Sequence, residues 1–250
     1  DESVALDVSA DGSVVGESRN AAGQWRAFRW TQATGMQDLT PLGYTQSHAD
    51  EISADGRVVV GWGIQPDGQR RALRWTATGE LQDLGTLSGY SDHTAFAVSG
   101  YGSVVVGFAQ TPDGRTRAFR WTASGGMQDL GSLGSGWSRA LGVSDDGLVI
   151  VGGSINAENQ YRAFRWENGV MQDLGWLGNG SEAKAASADG SVVVGSSFNR
   201  EGYVRAFRWT ADDGMVDLGT LSGYANSAAW DVSDDGSVVV GYFYNDQNEI

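Results

Sequence analysis

AFAVSGYGSVVVGFAQTPDGRTRAFRWTASGGMQDLG, residues Ala95–Gly131, holds four short runs of strand-forming residues separated by three glycine-bearing turns. AFAVS (Ala95–Ser99) meets VVVGFA (Val104–Ala109) across the first turn. TPDG (Thr111–Gly114) leads into RAFRW (Arg117–Trp121), and ASGG (Ala123–Gly126) leads into MQDLG (Met127–Gly131). Glycine supplies the positive φ that tight hairpin turns require. Three hairpins followed by a longer connector predict a four-stranded antiparallel blade. No window keeps apolar residues at a 3.6 period, so helix is nearly excluded.

The blade repeats. A VSADGSVVVG-like phrase starts at Val8, Ile52, Val98, Val143, Ala186 and Val232, at intervals of 43–46 residues, and an RAFRW-like phrase falls between these starts five times. A period near 45 lies in the range of propeller blades. The fold expected is all-β: a single β-propeller domain over residues 1–250, six-bladed with an incomplete last blade. AAWDVSDDGSVVVGYFY (Ala228–Tyr244) supplies only the first hairpin of the sixth blade, whose other strands would come from elsewhere. A five-bladed ring with a displaced terminal hairpin is the alternative.

The RAFRW phrase invites a register count. A four-residue loop at Ala123–Gly126 sets Thr122 opposite Met127 and Arg120 opposite Asp129. The same count pairs Arg29 with Asp38, Arg74 with Asp83, Arg208 with Asp217 and, across a shorter loop, Arg165 with Asp173. Loop length sets register, so these read as structural cross-strand ion pairs. A residue needed once for chemistry has no reason to recur in five copies. Phe119 and Trp121 alternate with Arg120, and Phe28 with Trp30 and Phe207 with Trp209 match them, which suits packing between blades.

Composition narrows the partners. Net charge is −14 over 250 residues, which repels nucleic acid and anionic membrane faces. Lys184 is the one lysine and cysteine is absent, so there is neither a disulfide nor a thiol ligand. No apolar run reaches membrane-spanning length, so membrane insertion by this chain is not expected. The opening DESVALDVSADG carries no signal core. No GxSxG, Walker loop or GxGxxG is present, and no cofactor or metal is expected. The turn aspartates Asp11, Asp55, Asp189 and Asp235 lack calcium-loop spacing and read as turn formers.

RAFRWT (Arg26, Arg117, Arg205), DLGTL (Asp83–Leu87, Asp217–Leu221) and DGSVVVG (Asp189–Gly195, Asp235–Gly241) resemble the bacterial extracellular HAF repeat family along almost the whole chain. Arginine replaces the family's histidine in RAF at Arg117, Arg162 and Arg205. The strand order is also similar to that of WD40 blades. The resemblance implies a secreted or bacterial cell-surface protein of the autotransporter-passenger kind, and no catalytic residues come with it.

In repeats so alike, the informative columns are those that differ. One reads Leu6, Asp50, Phe96, Leu141, Lys184 and Trp230; two residues earlier stand Val4, His48, Thr94, Arg139, Glu182 and Ala228. Both start the first strands of the blades and are expected to line the channel mouth. Crossover loops add Tyr44, Tyr90, Trp137 and Tyr224, which suit sugar stacking or protein recognition. His48 and His93 are the only histidines. The expected ligand-binding set is therefore Tyr44, His48, Asp50, Tyr90, His93, Phe96, Trp137, Arg139, Lys184, Tyr224 and Trp230, for a glycan or protein ligand in an adhesin-like binding module. A spacer without a ligand, and a hydrolase using Asp50, Glu51 or Asp231, are the alternatives.

Overall fold

The computed structural model describes residues 2–40 and 43–245. Contacts divide the chain into two compact units, Asp1–Asp129 and Leu130–Ile250. The first holds three blades: β1 (Ser3–Val8), β2 (Val14–Arg19), β3 (Trp25–Thr31), β4 (Gly35–Asp38); β5 (Gln46–Ile52), β6 (Val58–Ile64), β7 (Arg70–Thr76), β8 (Leu81–Asp83); and β9 (Asp92–Val98), β10 (Val104–Gln110), β11 (Thr116–Thr122), β12 (Gly126–Asp129). The second holds β13 (Gly134–Val143), β14 (Val149–Asn156), β15 (Tyr161–Glu167), β16 (Val170–Asp173); β17 (Asn179–Ala186), β18 (Val193–Phe198), β19 (Val204–Thr210), β20 (Gly214–Asp217); and a last pair, β21 (Asn226–Val232) and β22 (Val239–Tyr244). Among the described residues every pairing is between chain neighbours and antiparallel, giving five four-stranded sheets and one two-stranded sheet. This is the β-propeller architecture that the repeat predicts. No helix among the described residues is long and apolar enough to cross a membrane.

The first hairpin of each blade is held by its own side chains. Ser9 Oγ donates to Asp11 Oδ1 at 2.5 Å, and the Ser13 amide donates to the same oxygen at 2.9 Å. Ser53 with Asp55, Ser144 with Asp146, Ser187 with Asp189 and Ser233 with Asp235 repeat the arrangement at 2.6–2.8 Å. These donors hold the Asp11 and Asp235 carboxyls down at about 2. The turn aspartates are therefore turn formers.

The third hairpin corrects the register count. Its loop has three residues, because Gly126, at φ +62°, already pairs with Thr122. One residue fewer in the loop moves every pairing by one step. Arg120 faces Gln128, and Asp129 faces Phe119. Likewise Arg29 faces Gln37, Arg74 faces Gln82 and Arg208 faces Val216. In the fourth blade a two-residue Asn168-Gly169 turn, both at positive φ, sets Arg165 opposite Gln172. None of the five expected pairs faces across the ladder. The aspartate instead meets the first arginine of the phrase, diagonally on the same face: Arg117 with Asp129 at 3.5 Å, Arg162 with Asp173 at 3.6 Å and Arg205 with Asp217 at 3.7 Å. The second arginine turns to the next blade. Arg74 donates to the Gly102 carbonyl at 3.4 Å and Arg165 to that of Gly190 at 3.1 Å.

Packing between blades follows from this alternation. Phe119 and Trp121 close over Val58, Val60, Ala72 and Leu84 of the preceding blade, and Phe207 with Trp209 close over Val149, Val151, Ala163 and Leu174. Trp75 Nε1 also donates to the Leu39 carbonyl at 2.8 Å. A buried serine stitches the strand edges together. Ser181 Oγ accepts the Ala163 amide at 2.9 Å, and Ser47 and Ser227 accept those of Ala27 and Ala206 in the same way. The blade edge is thereby satisfied without a continuous ladder.

Candidate ligand-binding site

The first variable column has a backbone cause. Each first strand carries a β-bulge, and the extra residue is Leu6, Asp50, Phe96, Leu141, Lys184 or Trp230. A bulge residue has no partner across the ladder, and bulges commonly redirect side chains beside binding sites. The second strand accommodates the bulge with glycine. A Cβ on Gly16, Gly61, Gly107, Gly152, Gly195 or Gly241 would lie 1.9–2.1 Å from the carbonyl oxygen of Val4, His48, Thr94, Arg139, Glu182 or Ala228, respectively. The fixed glycine of VVVG and the variable residues across from it are two sides of one device.

In the first unit the columns bring His48 and Asp50 together. His48 stacks on Trp62 at 5.2 Å and 8°, and Arg70 lies over the same indole at 4.3 Å. Its Nδ1 is 3.2 Å from Asp50 and its Nε2 3.3 Å from Glu17. Burial opposes charging His48, but the hydrogen bond and charge of Asp50, with Glu17, outweigh it and raise the pKa. Burial also raises the pKa of Asp50. Phe96 packs on Phe108 at 5.5 Å.

In the second unit the columns form a continuous row. Arg139 lies over Trp137 at 5.0 Å, and Trp137 meets Tyr161 edge-on at 5.2 Å. The Tyr161 hydroxyl donates to Glu182 Oε1, and Lys184 Nζ donates to Glu182 Oε2. Lys184 Nζ stands 5.8 Å from the Trp230 ring, which neighbours Tyr242 at 6.3 Å. Glu182, Lys184, Tyr161, Phe198, Trp230 and Tyr244 line a cleft of about 330 Å³. Burial, then the Glu182 carboxylate, pushes the Tyr161 phenol far above its ordinary range, so it remains a neutral donor. A carboxylate, an ammonium and a phenol thus sit in a line between aromatic rings.

Of the residues expected from sequence, Trp137, Arg139, Lys184 and Trp230 join in this row. His48, Asp50 and Phe96 stand on the equivalent strands of the first unit. Three others have structural surroundings. Tyr44 packs on the core of Val15, Ala49 and Leu73. Tyr90 and Tyr224 close loop turns onto Leu87 and Leu221, and Tyr224 lies 6.4 Å from Phe243. His93 corrects the expectation of an accessible ligand. It is fully buried in the column of the stitching serines, and its Nε2 accepts the Leu87 amide at 3.0 Å. Tyr161 and Glu182 complete the row. Tyr161 precedes RAFRW, where the other copies have Trp25, Arg70, Thr116 and Val204, and that contrast was its signal. The carboxylates considered for hydrolysis have other partners: Asp50 has His48, Glu51 accepts the Val98 amide of the next blade, and Asp231 accepts that of Val232.

No protein-family model matches the chain, and no curated protein matches it in sequence. Solved structures share its fold. The β-propeller domain of the Trilobed protease from Pyrococcus furiosus superposes with TM-score 0.66 at 13% identity, over 99% of this chain and 78% of that one. TolB from Acinetobacter baumannii gives 0.61 at 12% identity over 94% of this chain; the match spans 61% of that TolB's length. A chain of the Nidogen/Laminin complex gives 0.55 at 12% identity, over 86% and 79%. At such identities the likeness is one of fold.

Proposed function

We propose that residues 1–250 form one β-propeller domain that works as a binding module, taking a glycan in the cleft of the second unit. The Tyr161–Glu182–Lys184 row, flanked by Trp137 and Trp230, carries this reading. Sugar rings present apolar faces that stack on exposed indoles and hydroxyls that pair with carboxylate, ammonium and phenol groups. Trp230 is 60% exposed, so it offers such a face without rearrangement. An extended protein segment is the other ligand this surface suits, because the same aromatic and charged groups recur as interface anchors. The RAFRWT, DLGTL and DGSVVVG phrases support membership of the HAF repeat family. With it comes an extracellular or cell-surface setting, displayed as an adhesin or autotransporter passenger. The acidic, lysine-poor composition agrees with that setting.

A glycan array followed by calorimetry on the binding oligosaccharides tests the reading. Trp230→Ala and Glu182→Gln are each expected to weaken binding by about tenfold or more, on the order of 1.4 kcal/mol. Ligand binding that is indifferent to both substitutions would sink it. Binding of a protein ligand alone, lost in the same variants, would favour the second form.

A further inference from the structure

Among the described residues the sixth sheet consists of β21 and β22, and the surface beside β22 differs from its counterparts in the second to fifth blades. In the third and fifth blades the second strand is flanked by an RAFRW strand whose Phe and Trp close over the DLG leucine of the blade before. Leu84 and Leu174 are accordingly 3% and 5% exposed, and Leu87 and Leu177 pack on the same clusters. Their equivalents before β22, Leu218 and Leu221, are 44% and 57% exposed. Val239 is only half-buried, as is Val14 of the first blade, whereas Val59, Val105, Ile150 and Val193 of the second to fifth blades are at most 2% exposed. A cavity of about 360 Å³ opens there, lined by Ala206, Leu218 and Gly219 on one side and by Val239, Gly241 and Phe243 on the other. It lies where the Phe and Trp of a third strand pack in complete blades.

We propose that the β22 edge and this groove are a strand-acceptor site for an extended segment of the RAFRW…MxDLG type. The occupant is defined by the chain itself, since the same surface is covered by that hairpin in its complete blades. The register is defined too. Val193, Val194 and Gly195 face Trp209, Arg208 and Phe207 in the fifth blade, so Val239, Val240 and Gly241 would face the incoming Trp, Arg and Phe. Main-chain hydrogen bonds along the edge supply affinity, and the groove selects the aromatic pair.

The test titrates the 250-residue chain with a labelled synthetic peptide, YVRAFRWTADDGMVDLGTL, the sequence of Tyr203–Leu221. Saturable one-to-one binding is expected, with hydrogen-exchange protection of the β22 amides. Leu218→Glu in the chain, or Phe207→Asp in the peptide, is expected to weaken it about tenfold or more, as charge enters an apolar seat. Leu218 is exposed, so the chain variant retains its fold. Trp230→Ala, which tests the glycan cleft, is expected to bind the peptide like the parent, so the two proposals fail separately. Peptide binding insensitive to Leu218→Glu, absence of binding, or self-association through the same groove that the peptide does not displace would each overturn the proposal.

Discussion

Arg162 and Asp173 meet diagonally across β15 and β16 at 3.6 Å, with the arginine side chain 1% exposed and the aspartate 36%. The guanidinium also lies 3.5 Å over the Trp176 ring and donates to the Tyr161 carbonyl and to Gln160. Arg117 makes the same pair with Asp129, but at 23% and 46% exposure. The two sites should therefore differ. Arg162→Ala is expected to cost about 2–3 kcal/mol, because acceptors and a stacked ring lose their partner. Arg117→Ala is expected to cost under about 1 kcal/mol, as exposed pairs do. Denaturant unfolding of both variants measures the difference; equal losses would contradict the burial argument.

Gly107 and Gly114 separate two uses of glycine. At Gly107 a Cβ would sit 1.9 Å from the Thr94 carbonyl oxygen, against backbone that cannot swing away. Gly107→Ala is expected to cost at least about 3 kcal/mol. Gly114 has φ +86° and open space around it, so Gly114→Ala should cost only about 1 kcal/mol of backbone strain. Thermal unfolding of the pair decides whether the bulge imposes the glycine.

The two histidines respond to pH with opposite sign. Burial, then the charge of Arg71, lowers the His93 pKa from 6.5 to about 4. The unfolded chain then binds a proton that the folded chain refuses. Stability is full above 6.5 and falls as pH drops toward 4, by at most about 3 kcal/mol. For His48, Asp50 and Glu17 raise the pKa above 6.5, so its contribution is complete below 6.5 and lost as pH rises through the raised value. Melting temperatures at pH 5 and 7 check this. His93→Ser, which restores the residue of the other blades, should flatten the acid limb, and His48→Gln the alkaline one.

Tyr161→Phe removes the phenol that donates to Glu182 while retaining the ring against Trp137. Glu182 then relies on Lys184 alone. Oligosaccharide affinity is expected to fall several-fold with little change in stability, since a phenol donor contributes about 1 kcal/mol. Quenching of Trp230 fluorescence on ligand addition gives the affinity. A variant as tight as the parent would take Tyr161 out of the site.

The blades were legible in the sequence because their period and their Asp-Gly turns are local signals. Five of the six first turns carry an Asp-Gly held by the serine two residues before it, which chain order alone reveals. The partner of the recurring aspartate was not legible. Whether Gly126 ends the loop or begins β12 depends on its φ, and that one residue exchanges Arg120 for Arg117 as partner. The variable columns were found as differences between copies, yet the bulge behind them leaves the spacing unchanged and so hid in a regular repeat. His93 stood out as one of two histidines. Aligned with Ser47, Ser138, Ser181 and Ser227, it is a substitute for a buried serine. Tyr161 belongs to neither variable column, and only folding brings it to Glu182.

The six bulges make the propeller a display frame. A position that sets no register and follows a residue paired with glycine can be exchanged without disturbing the strands that carry it. Phenylalanine, leucine, lysine, aspartate and tryptophan already occupy these places on nearly identical backbones. Randomising Leu6, Phe96 and Leu141 would therefore yield a combinatorial library of surfaces on one unaltered scaffold. New specificities in such repeats can arise by single-codon changes at addresses the fold has set aside.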